Sequence, residues 1–350
     1  RNNEGSASLE SDKYYADLRM LYLKATQETN QGGSLPNGVG LMTAQASGYL
    51  PVVEKMDYTL SVLGNYDLGE FDSGPREVYG VWEFFSSDWY KPTSLVAGKF
   101  YMPFGLLHDE HRTYTRMQSA SGLREYDVGT VASFDPLTSL HLDLGYIDGA
   151  DPFRQDSGPL NRNNTYGLVS NLRFNHSDLP VMLGASYLKN STQEEDKAEP
   201  YAYSAYGVLS MGRIFEGFNL DIFSEVVFAK HYNSNTTNIN QFLGPVGMGP
   251  IGDYKDSIEG KTSRGILAEA RYEITPNFIL LYKFDHLAFD EQFSSDAFIR
   301  HGFGFRYQID SNTLLLVKLE EEEVKIPNFD DKLQSRFDTA NVLGVLRIWL

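Results

Sequence analysis

The chain has 350 residues, no cysteine, and 30 basic against 47 acidic side chains, for a formal charge of −17. That balance excludes nucleic acid as a partner, because its phosphates recruit Lys and Arg. The absence of cysteine excludes disulfides, thiolate metal sites and a CxxCH haem attachment.

No run approaches the 18 apolar residues of a membrane-spanning helix, yet 22 Tyr, 22 Phe and 3 Trp sit in a chain of mean hydropathy −0.35. The first residue is Arg1 rather than Met, which we read as a signal peptide already removed.

Taken in chain order, segment after segment alternates apolar and polar residues with period two, the mark of a strand with two unlike faces. Met56 to Val62 is the first clear case, followed by Leu140 to Tyr146. Tyr166, Leu168, Leu172 and Phe174 alternate with Thr165, Gly167, Asn171 and Arg173. Phe218, Leu220 and Ile222 alternate with Asn219 and Asp221, and Ile266, Ala268, Ala270 and Tyr272 with Gly265, Glu269 and Arg271. Ile299 to Gln308 continues the rhythm, and Asn341 to Leu350 forms the last strand, placed to close the sheet. The reading predicts roughly 16 strands of about 9–13 residues, the length of tilted membrane strands. No helical period is sustained.

The connections alternate in length. Tight turns are predicted at Pro51–Glu54, Asp135–Thr138, Asn175–Asp178, Thr275–Asn277 and Asp310–Asn312, all rich in turn-forming residues. Long polar loops are predicted near Thr26–Asn37, Asp67–Arg76, Pro103–Glu125, Asp148–Asn164, Asn190–Glu199, His231–Thr262, Leu287–Ala297 and Lys325–Asp338. A soluble pair of sandwiches would share the alternation. Aromatic-heavy apolar faces, charged polar faces and the alternating loop lengths favour a single transmembrane antiparallel β-barrel over residues 1–350. Its short turns would be periplasmic and its long loops extracellular.

Val96-Ala97-Gly98-Lys99-Phe100-Tyr101-Met102-Pro103-Phe104-Gly105 resembles a strand-to-loop segment of the Gram-negative outer-membrane porins. The phosphate-selective porins carry a similar G-K-F-x-x-P-F-G pattern. The resemblance implies a third loop, here 103–125, folded into the barrel to narrow the pore; the connection lengths make 231–262 a long extracellular loop. The third loop is mixed in charge and the chain is acidic, which departs from a phosphate-selective pattern.

The parity opposite the apolar face points into the lumen. It assigns an acidic wall of Asp57, Glu83, Asp127, Asp143, Asp221 and Glu225. A basic wall takes Arg19, Arg271, Lys283, Arg300, Arg306, Lys318 and Arg347. Facing walls of opposite sign would set a transverse field for a small polar solute; mutual pairing that merely solvates the lumen is the simpler account.

The third loop carries His108, Asp109, Glu110, His111, Arg112 and Arg116. Their density admits a divalent metal, but the H-E-x-x-H spacing is absent, so a constriction loop hydrogen-bonded to the wall is preferred, with no metal or cofactor. No nucleophile motif supports an enzyme.

The expected function is passive diffusion of small hydrophilic solutes or ions across the bacterial outer membrane, with weak cation preference and a homotrimeric assembly. Outer-membrane lipid and lipopolysaccharide would surround the barrel. The rival reading is a non-conducting barrel that binds an envelope protein through its long loops, for example beside an electron-transfer cytochrome.

Overall fold

The computed structural model describes residues 14–25, 38–55, 58–68, 73–84, 91–106, 115–116, 126–148, 166–191, 198–231, 261–288, 290–291, 297–325 and 339–349. Sixteen strands form one antiparallel sheet. They are β1 (Tyr14–Ala25), β2 (Gly38–Glu54), β3 (Tyr58–Leu68), β4 (Ser73–Phe84), β5 (Ser94–Tyr101), β6 (Tyr126–Leu137), β7 (Leu140–Ile147) and β8 (Gly167–Asn175). They continue with β9 (Val181–Asn190), β10 (Tyr201–Ser210), β11 (Leu220–Lys230), β12 (Thr262–Thr275), β13 (Phe278–Ala288), β14 (Ala297–Asp310), β15 (Thr313–Lys325) and β16 (Thr339–Trp349).

Every strand pairs with its neighbours in sequence, and β1 pairs with β16 from Asp17↔Trp349 to Ala25↔Asn341, which closes the barrel. Closure satisfies the backbone groups that an open edge would strand in lipid. No described helix is long and apolar enough to cross a membrane.

Alternation sorts the side chains into two faces. On β7, Asp143, Gly145 and Ile147 are buried, whereas Leu144 and Tyr146 are 46% and 56% exposed. On β14, Phe298, Arg300, Gly302 and Gly304 are buried and Phe303 is 56% exposed. Large apolar residues therefore cover the outside while charges turn inward. That is the inverse of a soluble β protein and suits a barrel solvated by lipid. Tyr203 stacks on Phe228 and Tyr146 on Tyr166 along the outer surface, as an interfacial aromatic belt requires.

Several boundaries differ from the sequence expectation. Pro51–Glu54 belongs to β2, with a bulge between Pro51 and Val53 that accommodates the proline's missing donor. Asp135–Leu137 extends β6 through a second irregularity, so that turn sits at Thr138–Ser139. Asp67 pairs with Gly74 and Leu68 with Ser73. The predicted long loop 67–76 is thus a short hairpin across 69–72, where the turn residues Gly69, Asp72 and Gly74 outweighed the strand pattern around them. A turn that the spacing did not reveal, 211–219, holds a single 3-10 turn over Met211–Arg213.

Candidate functional site

The inner surface is built around the segment that leaves β5. β5 is only eight residues long and its pairing with β6 ends at Tyr101↔Tyr126. Gly98 has φ +138 and lies so close to the Val78–Tyr79 backbone that a Cβ has no room. Pro103 cannot donate to a ladder, and Gly105 adopts φ +67. The chain consequently turns inward.

Phe100, Met102 and Phe104 pack on Val131, Ile147, Val169, Leu188, Ala202, Val227 and Ala229, the inward residues at one end of β6–β11. Phe104 is fully buried. Burying such a side chain contributes about 1.5–3 kcal/mol. These strands thus break the polar-inside rule where the loop covers them.

Polar groups fix the same segment. The Gly105 N–H donates to Ser186 Oγ at 2.9 Å, and Ser186 and Tyr206 both donate to Asn171 Oδ1, at 2.9 and 2.6 Å. The Leu106 N–H donates to Glu225 at 3.2 Å, and Ser204 donates to the same oxygen at 2.7 Å.

Arg116 completes the cluster. Its Nε lies 3.1 and 3.2 Å from the two Glu225 oxygens, its Nη2 lies 3.0 Å from Oε2, and Nη2 also donates to the Leu106 carbonyl. The two side chains are 2% and 0% exposed. Next to it, Thr115 donates its N–H and its hydroxyl to Asp285 Oδ1, at 3.1 and 2.7 Å. Two points of the loop, around residues 105 and 115, are therefore pinned to β9–β13.

The predicted site residues fall as follows. His108, Asp109, Glu110, His111, Arg112 and Asp57 lie outside the described residues. Arg116 lies on the inner wall. Arg19 stands opposite Arg347 in the β1–β16 register, and Arg347 lies over the Trp349 ring. Asp221 faces Arg271 in register, while Arg271 bonds Glu269 at 2.5 Å and covers the Phe223 ring.

Lys283 is 3.8 Å from Asp285, and Arg300 is 2.8 Å from Glu322. Lys318 is buried on β15, and Arg306 is half-buried on β14 with the same inward parity as Arg300. Glu83 accepts from Thr59 at 2.9 Å. Asp127 accepts from the Val128 N–H at 2.7 Å. Asp143 accepts from Ser133 and contacts His141, whose other nitrogen meets Asp135.

Glu225, assigned to the acidic wall, belongs to the loop anchor. On β12–β15 acidic residues stand in close pairs with basic ones, Glu269 with Arg271, Asp285 with Lys283 and Glu322 with Arg300. Ser186, Ser204, Asn171, Tyr206 and Thr115 were missed. Their signal was a run of small or amide-bearing residues at inward positions, too short to carry a charge across the lumen by themselves. Among the described residues no group of three potential ligands converges on a metal position.

No family model and no curated protein matches the chain. Solved structures do. The outer membrane channel DcaP of Acinetobacter baumannii superposes with a TM-score of 0.67 at 10% identity, over 96% of each chain. The trimer form of OmpT, an outer membrane protein of Vibrio cholerae, gives 0.63 at 10% identity over 96% of this chain and 98% of that one. The anion-selective porin from Comamonas acidovorans gives 0.63 at 9% identity with the same coverage. The chain thus has the fold of the bacterial outer-membrane porins, a closed 16-stranded transmembrane barrel.

Proposed function

We propose that the chain is an outer-membrane porin through which small hydrophilic solutes and ions diffuse passively. The observation that carries this is the inward segment of Phe100–Leu106 with Thr115 and Arg116, pinned to the inner wall by Glu225 and Asp285. We infer that this segment narrows the lumen, with the paired charges of β12–β15 forming part of the polar wall. Electrostatic lining of this kind tunes passage rather than reaction.

Neutralising pairs on the wall leave selectivity to the mouth. The loop segments carry Glu70 and Asp72, Glu194, Glu195 and Asp196, and Asp290, Glu291 and Asp296. We infer a weak cation preference from the local cation excess such carboxylates create.

A homotrimer is the assembly we favour. The outward positions Ala46, Gly48, Gly64, Gly80 and Ala97 put small residues between the exposed Leu50, Val62, Tyr66 and Val78 on β2–β5, and no atom lies within 4 Å of where a Gly64 Cβ would be, which leaves room for a neighbouring barrel's side chains.

Planar-bilayer recording of the purified protein in a KCl gradient tests the proposal. Stable conductance steps in threes with a reversal potential of cation sign are expected. A folded but silent barrel would sink the diffusion reading and favour the partner-binding scaffold, and an anion-sign reversal potential would overturn the charge argument alone.

A further inference from the structure

The end of β5 is held from one side only. Its register with β4 stops at Val78↔Lys99, whereas that with β6 runs on to Tyr101↔Tyr126. Between these two tyrosines lie the 24 residues 102–125. The Tyr101–Tyr126 rung is therefore the base of the segment that Glu225 and Asp285 pin to the inner wall.

The rung stands on the outer face. Phe100 and Met102 are buried towards the lumen, so Lys99 and Tyr101 point the other way, and Lys99 stands opposite Val78, which is 49% exposed. The Lys99 Nζ lies 5.4 Å from the centroid of the Tyr126 ring. An ammonium on an outward face belongs at the polar edge of a bilayer rather than at its centre, so the pair lies within reach of water. Both tyrosines are half-buried. Their ring centroids are 4.2 Å apart at an angle of 35°, and their hydroxyls share a hydrogen bond of 2.5 Å. Tyr146 and Tyr166, the other tyrosine pair among the described residues, stack at 6.0 Å. The carbons ortho to the two hydroxyls of the rung thus lie side by side, and a small ring rotation replaces the chance encounter that ring coupling otherwise needs.

We propose that Tyr101 and Tyr126 are a site of oxidative cross-linking, where a dityrosine bond staples the base of residues 102–125. The reaction takes two equivalents of a one-electron oxidant of the high-valent metal class. Each ring gives one electron to the oxidant and its hydroxyl proton to water. The two phenoxyl radicals join through one ortho carbon of each ring. The hydrogen on each joined carbon then moves to that ring's oxygen, which restores both hydroxyls. Each equivalent of oxidant is reduced by one electron, and the protein loses two hydrogens in all. The staple goes beyond the porin reading and does not depend on it.

The test illuminates the full chain in detergent with tris(bipyridine)ruthenium and persulfate, which generate a high-valent ruthenium oxidant, and maps the digest by mass spectrometry. The expected product is one peptide pair joined through Tyr101 and Tyr126, lighter by two hydrogens than its unlinked parts. It should form about tenfold or more faster than any Tyr146–Tyr166 link, the gain of a pre-oriented pair. Tyr126→Phe should abolish it and Tyr166→Phe should leave it unchanged. Heat-modifiable electrophoretic migration confirms that each variant is folded. The linked protein should unfold in urea at a higher midpoint than the unlinked one, because the bond closes a loop in the unfolded chain.

Absence of the link, equal abundance of a Tyr146–Tyr166 link, or cross-linking that persists undiminished in Y126F would overturn the site. Bonds between separate barrels, seen as covalent oligomers in denaturing gels, would overturn it as well. An unchanged urea midpoint in the linked protein would overturn its role as a staple.

Discussion

Arg116→Ala tests the loop anchor most directly. In the wild type, Glu225 receives Arg116 through Nε and Nη2, together with the Leu106 N–H and the Ser204 hydroxyl, in a site where its side chain is fully buried. Removing Arg116 leaves a carboxylate with two neutral donors and no counter-charge. Breaking one partner of a buried pair costs about 3–5 kcal/mol, a factor of roughly a few hundred to a few thousand in the docking equilibrium.

The apolar packing of Phe104 and the Thr115–Asp285 bonds remain, so the barrel should stay folded while the segment loosens. Single-channel records should show larger, noisier conductance, and urea unfolding in lipid vesicles should shift to a lower midpoint. The double variant R116A/E225A should lose less than the sum of the two single variants, because no charge is then left unpaired. Wild-type conductance and midpoint in R116A, or strict additivity in the double variant, would refute the anchor.

Gly105→Ala should open the same segment by a different route. Its φ of +67 costs an L-residue about 1–2 kcal/mol, and the added Cβ would strike Glu225 and Arg116; a conductance change like that of R116A is expected. Tyr206→Phe removes one of the two donors to Asn171 Oδ1 and should cost about 1 kcal/mol in urea unfolding, with little change in conductance because Ser186 still holds Gly105. His231, beyond the end of β11, has its pKa lowered by burial and then by Lys230. Its unfolded form therefore binds a proton more readily, so its contribution to stability is intact above about pH 6.5 and is lost as pH falls through the folded value. Histidine NMR of the full chain should show this residue titrating below the usual range.

Much of the barrel was legible because one periodicity carried it. Leu140 to Tyr146 alternates so regularly that both its strand state and the inward sense of Asp143 follow from the pattern alone. The G-K-F segment likewise marked where the chain leaves the wall, at Pro103 to Leu106. What stayed hidden depended on contacts far apart in sequence. Nothing near Glu225 announces Arg116, and Ile147, Val169 and Leu188 look like further lipid-facing residues until Phe104 is seen to cover them. The hairpin at 69–72 was misjudged because glycines and acidic residues serve strand ends and loops equally well.

The β1–β16 seam bears on how this molecule comes to exist. Asp17 and Trp349 are partners although almost the whole chain separates them. Every other strand can meet its partners by a local hairpin, but β1 must wait for the final strand, and the loop-closure entropy falls on this one step. Until then both edges stand open and ready to pair with another chain. Assembly therefore has an all-or-none character, in which fifteen correctly formed hairpins are still an aggregation hazard and the last pairing turns a sticky ribbon into an inert cylinder.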